Sequence, residues 1–198
     1  GGYVYAEPGI YVDVALLDVA SMHPTSIECL NIFGDRYTKR FSEIKQARVA
    51  IKHHDDKLAG SLLDGALKPF LEEGVDYEAL AFALKIVINS VYGLTAAKFA
   101  NPFKDPRNVD NIVAKRGALF MVDLKHFVQE QGFDVAHIKT DSIKIPRATP
   151  EIIEKVMEFG KKYGYTFEHE ATYDRMCLVN KAVYVDYEDG HWLSLIHI

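Results

Sequence analysis

Cysteine is almost absent from the 198 residues: Cys29 and Cys177 lie far apart and form no metal-ligand spacing. Such usage favours a reduced compartment, so cytoplasm rather than secretion is expected. Positive charge is not in excess either. Lys and Arg number 23 against 28 Asp and Glu, a formal net charge of −5. That excludes a simple basic nucleic-acid glue, but not an enzyme whose acidic centre coexists with local basic patches. No uninterrupted apolar run nears the length of a membrane span. Internal repeats and low-complexity stretches are missing, as are GxxxxGK[ST], a GxGxxG after a strand, HExxH and paired CxxC. No targeting segment and no initiator Met are seen, and the chain opens on Gly1-Gly2-Tyr3 as if cut from a longer protein.

What is present is apolar content of 48%, enough for one large domain or two small ones. Tyr11 to Ala20 reads as a buried strand ending at a His23-Pro24 turn. Glu43 to Ala59 reads as a helix with Ile44, Ala47, Ile51 and Leu58 on its apolar face and Gly60 at its end. A second short helix follows from Ser61 to Glu73, disturbed near Pro69. Asp76 caps a helix over Tyr77 to Tyr92, with a Leu80, Leu84, Val87, Val91 stripe and Gly93 as C-cap. After a proline-containing loop (101–108), a long helix spans Val109 to Gln131. Phe133 to Lys139 and Ser142 to Ile145 are two short strands around a tight turn. Thr149 and Pro150 open another helix, which runs to Gly164, and Ala182 to Tyr187 is a last strand. The mixture lacks regular βαβ alternation and predicts an α+β domain with an inserted helical hairpin. The final LSLIHI (193–198) matches one reading frame of a common transposon-based sequencing adapter and is set aside as a scar; the alternative is an ordinary short strand.

Three clusters carry candidate chemistry. Asp18, near a strand end, and Asp141, in a turn, both sit among apolar neighbours, where isolated charge is costly. Two such carboxylates brought together repel unless they share a proton or hard divalent cations. Read alone, each also fits a strand-end turn. Lys85, Asn89 and Tyr92 share one helical stripe, and Lys45, Arg48 and Lys52 share another. Cation, amide and aromatic ring suit phosphate, sugar and base, although charges on helices commonly mark a solvated face. Lys181 with Tyr184 carries no signal alone. His53-His54-Asp55-Asp56 reads as a solvated face.

Taken in order, these segments resemble the family B DNA polymerases. DVASMHPTSI (18–27) resembles the first palm motif, DxxSLYPS. KIVINSVYG (85–93) matches the fingers motif KxxxNSxYG at every fixed position. KTDS (139–142) resembles the second palm motif, DTDS. Lys181-Ala182-Val183-Tyr184 resembles the KxxY element, and IVAKRG (112–117) resembles the stretch before the long palm helix. The likeness runs from Tyr11 to Tyr187, and the form of the motifs suggests a bacteriophage replicative enzyme working in the bacterial host cytoplasm.

The resemblance implies a palm, an antiparallel sheet with packed helices, with an inserted helical fingers hairpin. Residues 1–42 and 94–192 would form the palm and 43–93 the fingers. Asp18, Asp141 and the Val19 carbonyl would hold two Mg²⁺ ions, with Mn²⁺ able to substitute. Ser21 and Met22 would hold phosphate oxygens through their backbone, and Arg48, Lys52 and Lys85 would grip the triphosphate. Asn89 and Tyr92 would line the base-pair pocket, and Lys181 and Tyr184 would touch the primer strand. The partners implied are primer–template DNA and dNTPs, with no membrane. No exonuclease motifs or thumb are present in these residues. Two departures stand out: His23 replaces the family's Tyr under the sugar, and Lys139 replaces the first Asp of DTDS. Lys139 also leaves a second reading open, a nucleic-acid-binding palm that has lost its chemistry.

Overall fold

The computed structural model describes residues 2–72, 74–108 and 110–196. Its packing divides into two units, Gly1–Met22 with Ala114–Ile198, and His23–Val113.

The first unit is built on a seven-stranded antiparallel sheet in the order β1-β3-β4-β2-β5-β6-β7. The strands are β1 (Val4–Ala6), β2 (Gly9–Val19), β3 (His137–Lys139), β4 (Ser142–Ile145), β5 (Phe167–Leu178), β6 (Val183–Glu188) and β7 (His191–Ile196). Side chains alternate across a strand, so β2 sends Leu17 and Val19 to one face and Val14 and Leu16 to the other. Leu17 and Val19 join a core with Leu124, Val128, Ile152 and Val156 of the helices α5 (Ile112–Glu130) and α6 (Pro150–Lys162). Each such fully buried aliphatic residue contributes ~1.5–3 kcal/mol. The opposite face carries Tyr173, Met176, Leu178 and Tyr184. Thr149 caps α6 through the Ile152 amide, with Pro150 in the first turn, as the sequence predicts.

Strand β5 has no counterpart in the sequence reading, and a bulge explains the omission. Leu16 pairs with Ala171 and Leu17 with His169, so Glu170 is an extra residue without a partner. The alternation that identifies a strand changes phase there. Residues 193–196, set aside as a scar, pair with β6 in a hairpin whose register runs from Val183 opposite Ile196 to Glu188 opposite His191. Residues 197 and 198 lie outside the described residues.

The second unit is helical. α1 (Met22–Leu30) covers the span expected to be a His23-Pro24 turn. Pro24 lies in the first helical turn, where its missing N–H costs nothing. α2 (Gly34–Lys52) starts well before Glu43 and stops before Ala59. The break lies at His53–Asp55: His54 adopts φ +56, and the Asp55 carboxylate accepts from the Leu58 amide to start α3 (Asp56–Ser61). Gly60 is therefore inside a helix, and Leu58 is exposed. Instead of the one helix expected over Ser61 to Glu73, residues 62–72 hold two single 3₁₀ turns, Leu63–Gly65 and Lys68–Phe70.

α4 (Tyr77–Thr95) is capped by the Asp76 carboxylate on the Ala79 amide, as predicted. It continues through Gly93, so that glycine is not its cap. Its buried stripe is Ala81, Leu84, Ile88 and Thr95 rather than Leu80, Leu84, Val87 and Val91; Val87 is exposed. Ala81 and Leu84 pack on Ala47, Ala50 and Ile51 of α2. By length and composition α4 is apolar enough to cross a membrane, a property that core helices of soluble proteins share. The helix carries Glu78 and Lys85.

Candidate active site

Asp18 and Asp141 are brought together by strand register. Asp18 pairs with Ser142 in the β2–β4 ladder. One residue further, the Val19 amide donates to the Asp141 carbonyl at 2.8 Å. The β3–β4 connection is a two-residue turn, with Lys139 paired to Ser142 across it. Its first residue, Thr140, has φ +57, a costly conformation for a β-branched side chain and one that glycine usually supplies. Strand β1 braces it: the Thr140 amide donates to the Tyr3 carbonyl at 2.8 Å. Gly2 permits this approach, because a Cβ there would overlap the Thr140 side chain.

The electrostatics are those of crowded carboxylates. Burial pushes the Asp18 carboxyl from 3.8 up to about 7, and repulsion from Asp141, Glu170 and Glu168 adds to it, against the pull of Lys144. Glu168 is opposite Asp18 in the β2–β5 ladder, and Glu170 is the bulged residue. The sequence reading missed both, because the bulge hid the strand that carries them. Their E-x-E spacing beside a strand-forming run was the available signal.

This surplus of negative oxygen fits hard divalent cations. Among the described residues, no three His, Cys, Asp or Glu side chains converge as a ready-made cage. Asp18 and Asp141 would therefore need further oxygens, such as the Val19 carbonyl, water or a substrate phosphate. Lys139 ends β3 half-buried, and its carbonyl accepts from the Asp141 amide at 2.7 Å and the Ser142 hydroxyl at 3.2 Å.

Ser21 precedes α1 with φ +54. The amides that open a helix have no partner within it and favour anions. Gly117, the last residue of IVAKRG, lets α5 close on Met22: a Cβ at 117 would come within 2.7 Å of its sulfur.

The helical unit carries the other candidates. Lys85 and Asn89 are exposed on α4, off its buried stripe. Arg48 is half-buried and Lys52 exposed on α2. Lys45, grouped with them by spacing, is occupied: its ammonium donates to Glu28 at 2.6 Å and to Thr25 at 3.0 Å. His23 stacks flat on Tyr92, with centroids 4.4 Å apart and planes 1° from parallel. Burial raises the Tyr92 hydroxyl, against a hydrogen bond from Asn111. His53, His54 and Asp56 are exposed, as expected, although His54 stacks on Tyr77 at 4.0 Å.

Back on the sheet, Lys181 is exposed, but Tyr184 is buried. Beneath that element lie two more residues that the sequence did not single out, His137 and Lys144. Their burial depends on strands distant in sequence.

No protein-family model matches the chain. DNA polymerase II of Escherichia coli (strain K12) is 29% identical over 155 residues, covering 72% of this chain and 19% of that protein. DNA polymerase 1 of Saccharolobus solfataricus is 22% identical over 216 aligned residues, covering 96% of this chain and 24% of that protein. DNA polymerase 1 of Sulfurisphaera ohwakuensis is 23% identical over 197 residues, covering 87% and 22%. The fold is similar to that of the family B DNA polymerase from the hyperthermophilic archaeon Pyrobaculum calidifontis, with a TM-score of 0.66 at 15% identity. That likeness covers 98% of this chain and 28% of the archaeal one. The chain thus spans about a fifth to a quarter of the length of these curated relatives. The chain's ordered motifs resemble those of the family B DNA polymerases, its curated relatives are DNA polymerases, and its fold is similar to part of a family B polymerase.

Proposed function

We propose that the chain is the catalytic part of a DNA-directed DNA polymerase, which adds dNTPs to a primer 3′-hydroxyl under the direction of a template. The observation that carries this reading is the pairing of Asp18 with the Asp141 turn, locked by the Val19 amide, in a chain whose relatives are DNA polymerases. Asp18, Asp141 and the Val19 carbonyl would hold two Mg²⁺ ions, or Mn²⁺ in their place; when bound, these acidify the primer hydroxyl and offset the charge of the triphosphate and the leaving pyrophosphate.

The remaining roles belong to the chain's own groups. The Ser21 and Met22 amides hold phosphate oxygens at the start of α1. Lys85, Arg48 and Lys52 neutralise the triphosphate, Lys85 and Lys52 from exposed positions. Asn89 and Tyr92 line the pocket for the nascent base pair, and His23, fixed by its stack on Tyr92, packs against the sugar. Lys181 contacts the primer backbone, a contact that positions rather than specifies. Tyr184 anchors that element from below. Catalysis on this account is mostly positioning and charge stabilisation.

Extension of primed DNA and primed RNA templates with dNTPs and with rNTPs tests the reading. Addition of dNTPs on DNA is the expected result. A folded chain that binds DNA but adds nothing would favour the second reading, a binding module disabled by Lys139.

A further inference from the structure

Three ionisable side chains are buried beneath the Lys181–Tyr184 element: His137 is 1% exposed, Lys144 3% and Asp186 0%. They lie on the same sheet face as Asp18. His137 pairs with Lys144 across β3–β4, Lys144 is opposite Leu16, and Asp18 is two residues further along β2. Charged side chains are rarely buried so fully unless they are paired or serve a function.

Their contacts form a line. The Lys144 ammonium lies 4.3 Å from the centroid of the Tyr184 ring, a cation–π contact. It is also 3.4 Å from Nδ1 of His137. An ammonium can only donate, so Nδ1 accepts, and the imidazole proton sits on Nε2. Nε2 then donates to the Lys181 carbonyl at 3.2 Å. Burial is the first cause that holds the imidazole neutral, its pKa lowered to about 4, with Lys144 and Lys139 adding to it. Besides His137, the charged groups acting on Lys144 are Asp186, Lys139, Asp18 and Glu170.

Among the described residues, the loop at the far end of this line is otherwise self-contained. The Asn180 side chain accepts from the Ala182 amide at 2.8 Å and the Val183 amide at 3.0 Å, and the Val179 amide donates to the Val183 carbonyl at 3.0 Å. The loop's own bonds shape it, but do not dock it on the hairpin that carries Asp141. The His137 bond does.

We infer that His137 and Lys144 are positioning residues that tie the Asp141 hairpin to the Lys181–Tyr184 element, Lys144 bracing the Tyr184 ring and His137 docking the loop through the Lys181 carbonyl. This inference rests on the polymerase reading for what Lys181 contacts, a primer strand, but not for the link itself. The link also accounts for a cation buried at Lys144, which braces the primer-side element and offsets the carboxylates around Asp18.

The test compares the wild-type chain with His137→Phe, which keeps a ring but loses both bonds, and with His137→Gln, which can accept from Lys144 and donate to the carbonyl. Hydrogen exchange is read at the Val179, Asn180, Ala182 and Val183 amides. Primer–template affinity is read by anisotropy, and the dNTP KM by single-nucleotide addition. The expected result for His137→Phe is about tenfold faster exchange and about tenfold weaker primer–template binding, the loss of one to two buried hydrogen bonds. The dNTP KM stays unchanged, and His137→Gln restores both readings. Unchanged exchange overturns the link. Faster exchange with wild-type primer–template affinity overturns the positioning role. A wild-type chain that binds no primer–template contradicts the polymerase reading and, with it, the positioning role, while the exchange result still decides the link.

Discussion

Replacing Asp18 with Asn removes one carboxylate from a crowded set without changing its shape. The Asp18 carboxyl is raised from 3.8 to about 7, first by burial and then by Asp141, Glu170 and Glu168. A carboxyl raised in the folded state binds its proton more tightly there than in the unfolded chain. Its stabilising contribution is therefore full below about pH 4 and is lost as the pH rises to about 7. A rise of about three pH units is worth at most about 4 kcal/mol. Asp18 is only half-buried, so solvent screening reduces this to about 2 kcal/mol. Part of the gain is returned, because Lys144 loses an attractive neighbour. Asp18→Asn should thus equal the wild type near pH 4 and be about 1–2 kcal/mol more stable at pH 8 without divalent ions. Urea denaturation at both pH values reads this directly. Adding Mg²⁺ at pH 8 should stabilise the wild type and not the variant, since only the wild type keeps the full carboxylate set. Asp186, raised to about 6 by burial, titrates in the same window in both proteins and cancels in the comparison. His137, lowered to about 4, acts in the opposite sense in both proteins and cancels too, so the difference between them is what counts. A variant no more stable than the wild type at pH 8, or one whose advantage is the same at pH 4 and pH 8, would refute the electrostatic account of the site.

Gly2→Val should force the Thr140 side chain, and the Asp141 turn with it, away from β1. A loss of about 1–3 kcal/mol in denaturation and a fall in nucleotide addition are expected; wild-type values for both would show that β1 does not brace the turn. His23→Ala removes the stack on Tyr92 and should raise ribonucleotide incorporation, measured as the dNTP/rNTP ratio of kcat/KM; an unchanged ratio would exclude a sugar gate at His23. Lys139→Asp restores the family pattern and removes a cation near Asp141, so the Mg²⁺ midpoint for nucleotide addition should fall. An unchanged midpoint would show that Lys139 does not tune the metals.

Local chemistry was legible in the sequence where it acts through near neighbours. Asp76 and Thr149 cap the helices they were expected to cap, because each needs only an amide three residues ahead. The hairpin around Thr140 and Asp141 could be read because Ser142–Ile145 alternates polar and apolar residues, the period of a strand. Where a local signal had two meanings, the wrong one was sometimes taken. Pro24 marks a helix start rather than a turn, and His53–Asp55, solvated as expected, interrupt the helix that was expected to run on to Ala59. Gly93 was expected to end α4, yet the apolar contacts of Ile88 and the burial of Thr95 carry the helix past it.

The rest of the site was hidden by long-range structure. Glu168 and Glu170 reach Asp18 only because β5 pairs with β2 across nearly the whole chain and bulges at Glu170. Lys144 looks like any strand lysine until β3 and β6 bury it against His137, Tyr184 and Asp186. The grouping of Lys45 with Arg48 and Lys52 was correct in helical phase, but Glu28, on a helix the sequence reading lacked, claims that ammonium.

The most direct test of the central claim is single-nucleotide addition to a primed DNA template with Mg²⁺, comparing the wild type with Asp18→Ala and Asp141→Ala. The longer protein recovered from the source DNA should be assayed beside the chain. The account predicts template-directed addition of the complementary dNTP that is lost in both variants while both remain folded and bind DNA. Addition that survives either substitution would contradict a catalytic centre at Asp18 and Asp141.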